Sequence, residues 1–256
     1  LPRGVIMNRN LDGVKMADPS KVTEHIDRAW YDGAPSRHPY EGQTIPFKQD
    51  PQYNTDAKYS WLKAPRYEGE PCEVGPLARV LVAYASGNKA FQDVVNSTLQ
   101  KLSIPSTALF STLGRTAARG LETLLIGNAM EGWMMELVGN LKKGNTKTCA
   151  SWTMPDNAKG CGLNDVARGS LGHWIEIENK KIKNYQYVVP STWNLGPRCE
   201  KGKRGPVEEA LIGTPVDDPK RPLEILRTVH SFDPCIACAV HVIDPHSNEV
   251  YKIKVL

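Results

Sequence analysis

Cys235 and Cys238 stand three residues apart, a spacing at which two thiolates on a tight turn or a helix start can grip one metal ion. Thiolates are soft ligands, suited to nickel, copper, zinc or iron–sulfur centres. Asp233 and Pro234 precede the pair and His241 follows it. Pro234 has no backbone donor and often sets the start of such a turn. On spacing alone the pair also fits a zinc half-site, a redox couple, or two buried cysteines. A four-ligand zinc site needs two more donors, for which Cys199 and His241 are available. Cys72, Cys149, Cys161 and Cys199 are irregularly spaced, so a disulfide framework is not the first reading for so long a chain.

The elements that must position these residues divide the chain into three stretches. Residues 1–70 are rich in Pro, Gly, Tyr and Asp, with one helix expected from Lys21 to Tyr31 behind Pro19 and Ser20. From Ser36 to Tyr67 periodicity is weak and Pro39, Pro46, Pro51 and Pro65 intervene, which reads as long irregular packing against a partner. Helical spacing begins at Pro76 with Leu77, Val80, Leu81 and Tyr84, and a second helix is expected over Lys89 to Leu102. Pro105 opens a third, to Leu113 or Ala118. A fourth runs from Leu121 to Leu141, ended by Gly144; its apolar residues surround the wheel, so it is expected to be buried on several sides, with Met130, Met134 and Met135 filling core. Trp174 to Glu178 alternate with period two, Asn179-Lys180 turns the chain, and Ile182 to Val189 returns as a hairpin. Short helices are expected near Val207–Ile212 and Leu223–Val229, the second opened by Pro222.

Bulk properties exclude some classes. The chain has 256 residues, 40% of them hydrophobic and 23% charged, with a net charge of +4. Lys and Arg are interleaved with Asp and Glu, and the short runs Lys142-Lys143 and Lys201 to Arg204 read as solvated loop charge, so no nucleic-acid footprint is expected. The longest apolar region, Leu121 to Val138, is broken by Glu122, Glu131 and Glu136, which argues against a membrane span of about 20 apolar residues. No signal peptide is visible, and a start at Leu1-Pro2-Arg3-Gly4 reads as the middle of something longer.

The string Ser231 to His241, with its Asp-Pro-Cys-x-x-Cys-x-x-His core, resembles the C-terminal motif of nickel–iron hydrogenase large subunits. Leu1–Ile6, His38–Gly42, Tyr59–Tyr67, Glu73–Arg79, Ala167–Trp174, Val188–Asn194 and Glu208–Thr214 match the same family in the same order. The resemblance covers essentially all of this chain and about the last half of the family's large subunit. It implies a single mainly α (α+β) domain over residues 1–256, a helical-bundle core with a small β-hairpin region.

It also implies roles. Cys235 would be a terminal thiolate on nickel, and Cys238 would bridge nickel and an iron carrying carbon monoxide and cyanide. Pro190 and Ser191 would lie beside a cyanide, with the Ser191 hydroxyl donating to it. Arg168 would hold its guanidinium over the open metal position where H2 is split, with Asp233 pairing to it. His241 and the backbone carbonyl of Tyr187 would bind magnesium. Read without the family, Arg168 is a surface or structural arginine, Ser191 caps a turn and Asp233 is an N-cap before Pro234. His173 and His230 read as structural.

Three departures stand out. The family's N-terminal cysteine pair is absent, so another polypeptide or segment is expected to supply two nickel thiolates. Ala167 stands where the family carries a proline before the arginine. Residues 242–256 follow His241, after which a nickel-dependent protease cleaves in this family, so the sequence reads as a precursor whose Val250, Tyr251, Ile253 and Val255 make a transient strand. The activity implied is reversible heterolytic cleavage of H2, with electrons passed to an iron–sulfur small subunit at the periplasmic side of the membrane. Maturation protease and nickel-insertion chaperones are further expected partners, and the polypeptide is expected to be cytoplasmic before maturation. The alternative is a non-catalytic, immature polypeptide that binds maturation factors; a metal-free relative in respiratory NADH:quinone oxidoreductase and a zinc-binding structural protein rank below it.

Overall fold

The apolar spacing from Pro76 onward is realised as helix α1 (Pro76–Ala85), and Asn88 caps α2 (Lys89–Leu102) by accepting a hydrogen bond from the Phe91 amide. The expected third and fourth helices are one. Pro105 precedes only a short 3₁₀ turn, Ser106–Leu109, and Ser111 then caps α3 (Thr112–Lys142) through its hydroxyl, 3.0 Å from the Gly114 amide. Leu77, Val80 and Leu81 of α1, Phe91 and Val95 of α2 and Ala118 of α3 form one buried cluster.

Only the first part of α3 is in that core. Leu124, Met130, Trp133, Met134, Met135, Leu137 and Leu141 are each more than half exposed. The expectation that this helix is buried on several sides, with three core methionines, therefore does not hold within this chain. The apolar wheel is present and none of the described residues covers it. Gly144, with φ +75°, follows the last turn as expected. The structure is a computed structural model that describes residues 2–48, 54, 56–235, 239–243 and 250–254, the last two segments as backbone. No helix among these is long and apolar enough to cross a membrane.

The first 70 residues are strand and turn. Strands β1 (Val5–Ile6) and β2 (Val14–Lys15) pair antiparallel. The helix expected over Lys21 to Tyr31 is absent: Asp18 caps a 3₁₀ turn, Pro19–Lys21, and the chain continues as β3 (Val22–His25) and β4 (Tyr31–Asp32). β3 is the centre of a three-stranded sheet between β5 (Ser36–Arg37) and, past β6 (Ile45–Pro46), β7 (Ala64–Tyr67), which is buried throughout. Pairing with a strand some forty residues away overrides the local helix signal, and β-branched Val22 and Thr23 suit it.

The second half is dominated by an antiparallel meander, β8 (Asn157–Val166), β9 (Gly169–Glu178) and β10 (Lys181–Val188). Asn179 and Lys180 make the expected turn, both at positive φ. Three strands stand where a small hairpin was expected, and the fold mixes helix and strand, the α+β side of the expectation. Trp174 and Val188 of the meander pack with Val22, Tyr67 and Trp193 in a second buried cluster. Helices α4 (Pro190–Leu195), α5 (Pro206–Leu211) and α6 (Leu223–Ser231) follow. The last two match expectation within two residues, whereas α4 was not anticipated. β11 (Ala239–Ile243) and β12 (Val250–Lys254) pair antiparallel, with His241 opposite Lys252. The expected tail strand is thus formed at Val250–Lys254, and Val255 lies outside the described residues.

The β8–β9 connection has two residues, Ala167 and Arg168, and it meets the start of α1 backbone to backbone. Gly169 has φ +131°, and a Cβ there would lie 2.6 Å from the Gly75 nitrogen. Gly169→Ala is expected to cost about 2–3 kcal/mol by combined clash and backbone strain. Gly213→Ala, with φ +75° but open space around it, is expected to cost only about 1 kcal/mol. Urea unfolding of both variants checks the difference.

Candidate metal centre

The two parts of the site come from opposite ends of the second half. Arg168 sits at the β8–β9 tip. Asp233 and Cys235 follow α6, whose last residue is Ser231. Asp233 is therefore past a helix C-terminus, at φ +50°, and not an N-cap as the sequence suggested. Its amide donates to the His230 carbonyl at 2.9 Å, which turns the chain out of the helix and presents Cys235 at the surface.

The tip and the turn meet. Arg168 Nε donates to the Asp233 backbone oxygen at 2.9 Å and lies 3.5 Å from its carboxylate. Both side chains are about two-fifths exposed, so the ion pair contributes little stability by itself. Its consequence is orientation. With Nε anchored, the two terminal nitrogens of the guanidinium have no partner among the described residues, and a planar fork of donors remains available.

Pro190 and Ser191 open α4 and are buried. The Cys235 amide donates to the Ser191 hydroxyl at 3.0 Å. A hydroxyl has one proton to give and two lone pairs to accept with. Having accepted from Cys235, Ser191 keeps its proton, for which no acceptor stands among the described residues. The role is more specific than capping a turn. Asn194 fixes α4 in place, its side chain donating to the Val74 carbonyl at 2.8 Å and accepting from the Val74 amide at 3.0 Å.

The α6 end is held from α3. Arg119 donates to the Ser231 carbonyl at 3.0 Å. Arg115 lies 3.9 Å over the Phe232 ring and makes a bidentate pair with Glu73 at 2.8 and 2.9 Å. These arginines carry no sequence motif of their own; the only signal was their position on a helix crossing the site.

Other residues fall differently. Tyr187, in β10 opposite His173, is three residues before Pro190, and its side chain is exposed. His173 stacks on Tyr185, with Nδ1 and the phenol oxygen 2.5 Å apart. Cys238 lies outside the described residues, and His241 is described only as a backbone position of β11. Burial pushes the Cys72 thiol from the usual 9.0 up to about 11, which leaves a poor metal ligand. Among the described residues no three His, Cys, Asp or Glu side chains gather as a metal cage. The described donors that fit a metal are an exposed thiol, Cys235, with a buried hydroxyl and an oriented guanidinium beside it. A thiolate there suits a soft metal.

Residues 1–241 match the family model described as nickel-dependent hydrogenase. The chain is 45% identical to the uptake hydrogenase large subunit of Bradyrhizobium diazoefficiens, covering 100% of this chain and 46% of that protein. It is 41% identical to the quinone-reactive Ni/Fe-hydrogenase large chain of Wolinella succinogenes, covering 98% and 47%. Among solved structures, the Ni-Fe-Se hydrogenase from D. vulgaris Hildenborough in the reduced state superposes with a TM-score of 0.75 at 35% identity, over 91% of this chain and 47% of that one. The chain spans about half the length of the curated relatives it matches.

Replacing Ser191 by Ala removes the acceptor of a part-buried amide and is expected to destabilise the protein by about 1–3 kcal/mol. The loss should be local: hydrogen exchange at the Cys235 amide accelerates, and that in α1 and α2 does not.

Proposed function

The chain belongs to the nickel-dependent hydrogenase family, and from that premise we propose that it forms the C-terminal half of an uptake-type hydrogenase large subunit, active in the reversible heterolytic cleavage of H2. The observation that supports this reading is that Arg168 meets Asp233 and Ser191 meets Cys235 at one turn of the chain.

In this reading Cys235 and Cys238 would be this chain's thiolates toward a nickel–iron centre. That centre, with carbon monoxide and cyanide on its iron, would supply the Lewis-acid and redox chemistry for splitting H2. The chain's own residues do the rest. The Cys235 thiolate, exposed at its turn, is placed to take the proton released when H2 is polarised. The Arg168 fork, held by Asp233, faces the same position and offers fixed positive donors. The retained proton of Ser191 points to a cyanide as its acceptor, beside the apolar wall of Pro190. His241 and the Tyr187 carbonyl hold magnesium. Ala167, lacking the proline ring of the family, leaves that wall less filled.

The remaining thiolates come from a polypeptide or segment carrying the family's N-terminal cysteine pair. The exposed apolar length of α3 is where that part packs, since the matched relatives are about twice as long as this chain. Electrons leave through an iron–sulfur small subunit, and the assembled enzyme sits at the periplasmic face of the membrane through its partners. Before assembly the polypeptide is the immature form, which binds maturation factors without turning over H2; the incomplete donor set favours this second reading for the isolated chain. Removal of residues 242–256 requires unpairing β12 from β11, because the bond after His241 lies within that hairpin. Nickel-insertion chaperones and a maturation protease act at this stage. Cleavage after His241 is expected only when nickel is supplied. Equal cleavage without it contradicts the proposed coupling.

H2-dependent dye reduction by the assembled enzyme tests the central reading. Arg168→Lys, which keeps the charge but loses the fork, is expected to lower turnover by about 10²-fold or more at unchanged nickel content. Unaltered turnover removes Arg168 from the mechanism.

A further inference from the structure

We propose that Arg79 is a positioning residue for Arg168, setting the angle at which the β8–β9 tip presents its guanidinium; this rests on the role given to Arg168 above. Arg79 is in the second turn of α1 and its side chain is only 10% exposed. All five of its N–H groups are used. Nε and Nη2 donate to the Glu122 carboxylate of α3 at 2.5 and 2.7 Å. Nη1 donates to the Asp165 carboxylate and, at 2.7 Å, to the Val166 carbonyl. Nη2 also donates to the Ala167 carbonyl at 3.0 Å.

The last two contacts distinguish this from an ordinary helix-to-helix ion pair. Glu122 alone would tie α1 to α3. The Val166 and Ala167 carbonyls belong to the two peptide planes that lead into Arg168, and fixing both leaves the Arg168 Cα little freedom. From the other side, the Gly75–Gly169 approach closes the same tip: a Cβ on Gly75 would lie 3.1 Å from the Arg168 carbonyl oxygen. Gly75 and Arg79 are one helical turn apart, so one turn of α1 grips the tip before and after Arg168. Burial opposes the charge of Arg79, yet the hydrogen bonds to Glu122 and Asp165 hold its pKa above the ordinary value. Lysine offers three donors from a point charge and cannot span two carboxylates and two carbonyls at once.

The test is a double-mutant cycle in the assembled enzyme, read alongside hydrogen exchange. Arg79→Lys is expected to lower kcat about 10²-fold with little change in KM and with the parent's nickel content. The double variant Arg79→Lys/Arg168→Lys is expected to lose no more than Arg168→Lys alone, within about threefold, because the first change acts through the second residue. Amides of residues 165–169 should exchange faster in Arg79→Lys while those of α1 and α3 stay protected. Where Arg79→Lys does not accumulate, Asp165→Asn weakens one leg of the clamp and should shift tip exchange in the same direction. Multiplying losses, or unchanged exchange at the tip, overturns the inference alone. A harmless Arg168→Lys overturns the functional reading and this inference with it.

Discussion

A buried guanidinium must find a partner for every donor or the fold pays for its desolvation, and Arg79 meets that demand by drawing together α1, α3 and the β8–β9 tip. Its neighbours in sequence extend the arrangement. Glu73 receives Arg115, Val74 is bracketed by Asn194, and Gly75 admits the backbone at Gly169. Seven consecutive residues thus receive α3, α4 and the hairpin tip. Breaking the Arg79–Glu122 pair from one side leaves an uncompensated buried charge, which typically costs 3–5 kcal/mol. The position of Arg168 against Asp233, and of Ser191 against Cys235, follows from this convergence more than from any contact inside the site.

Much of the site was legible because its chemistry is dense in sequence. The Asp-Pro-Cys string, the Arg-Gly pair and the Pro-Ser pair each stand out in the sequence, and the structure brings Arg168 to Asp233 and Ser191 to Cys235. The helices α1, α2, α5 and α6 were legible for a different reason: their apolar residues face a core that this chain supplies. The errors share one cause. Val22 to His25 is strand because β7, far along the chain, lies beside it. Strand β8 leaves little trace in the sequence because its face is mostly exposed and Gly160 and Gly162 interrupt any alternation. Helix α3 carries an apolar wheel that reads as buried, yet none of the described residues covers its second half. Pattern reports what a segment can bury, not whether a partner is present.

Asp233 illustrates the same limit at the level of one residue. Before a proline it reads as a cap, but the structure places it after α6 with a left-handed backbone. That conformation turns its carbonyl toward Arg168 and leaves Cys235 at the surface. The supporting arginines of α3 had no motif to betray them, because their partners, Glu73, Phe232 and Ser231, are distant in sequence.

The central claim is that Cys235 belongs to a nickel site completed by thiolates from outside this chain. Nickel-edge X-ray absorption of the assembled enzyme, parent beside Cys235→Ser, tests it most directly. The account predicts a sulfur-rich first shell in the parent and, in the variant, either loss of nickel or a shell short of one sulfur. An identical sulfur shell at equal nickel content in both would contradict it.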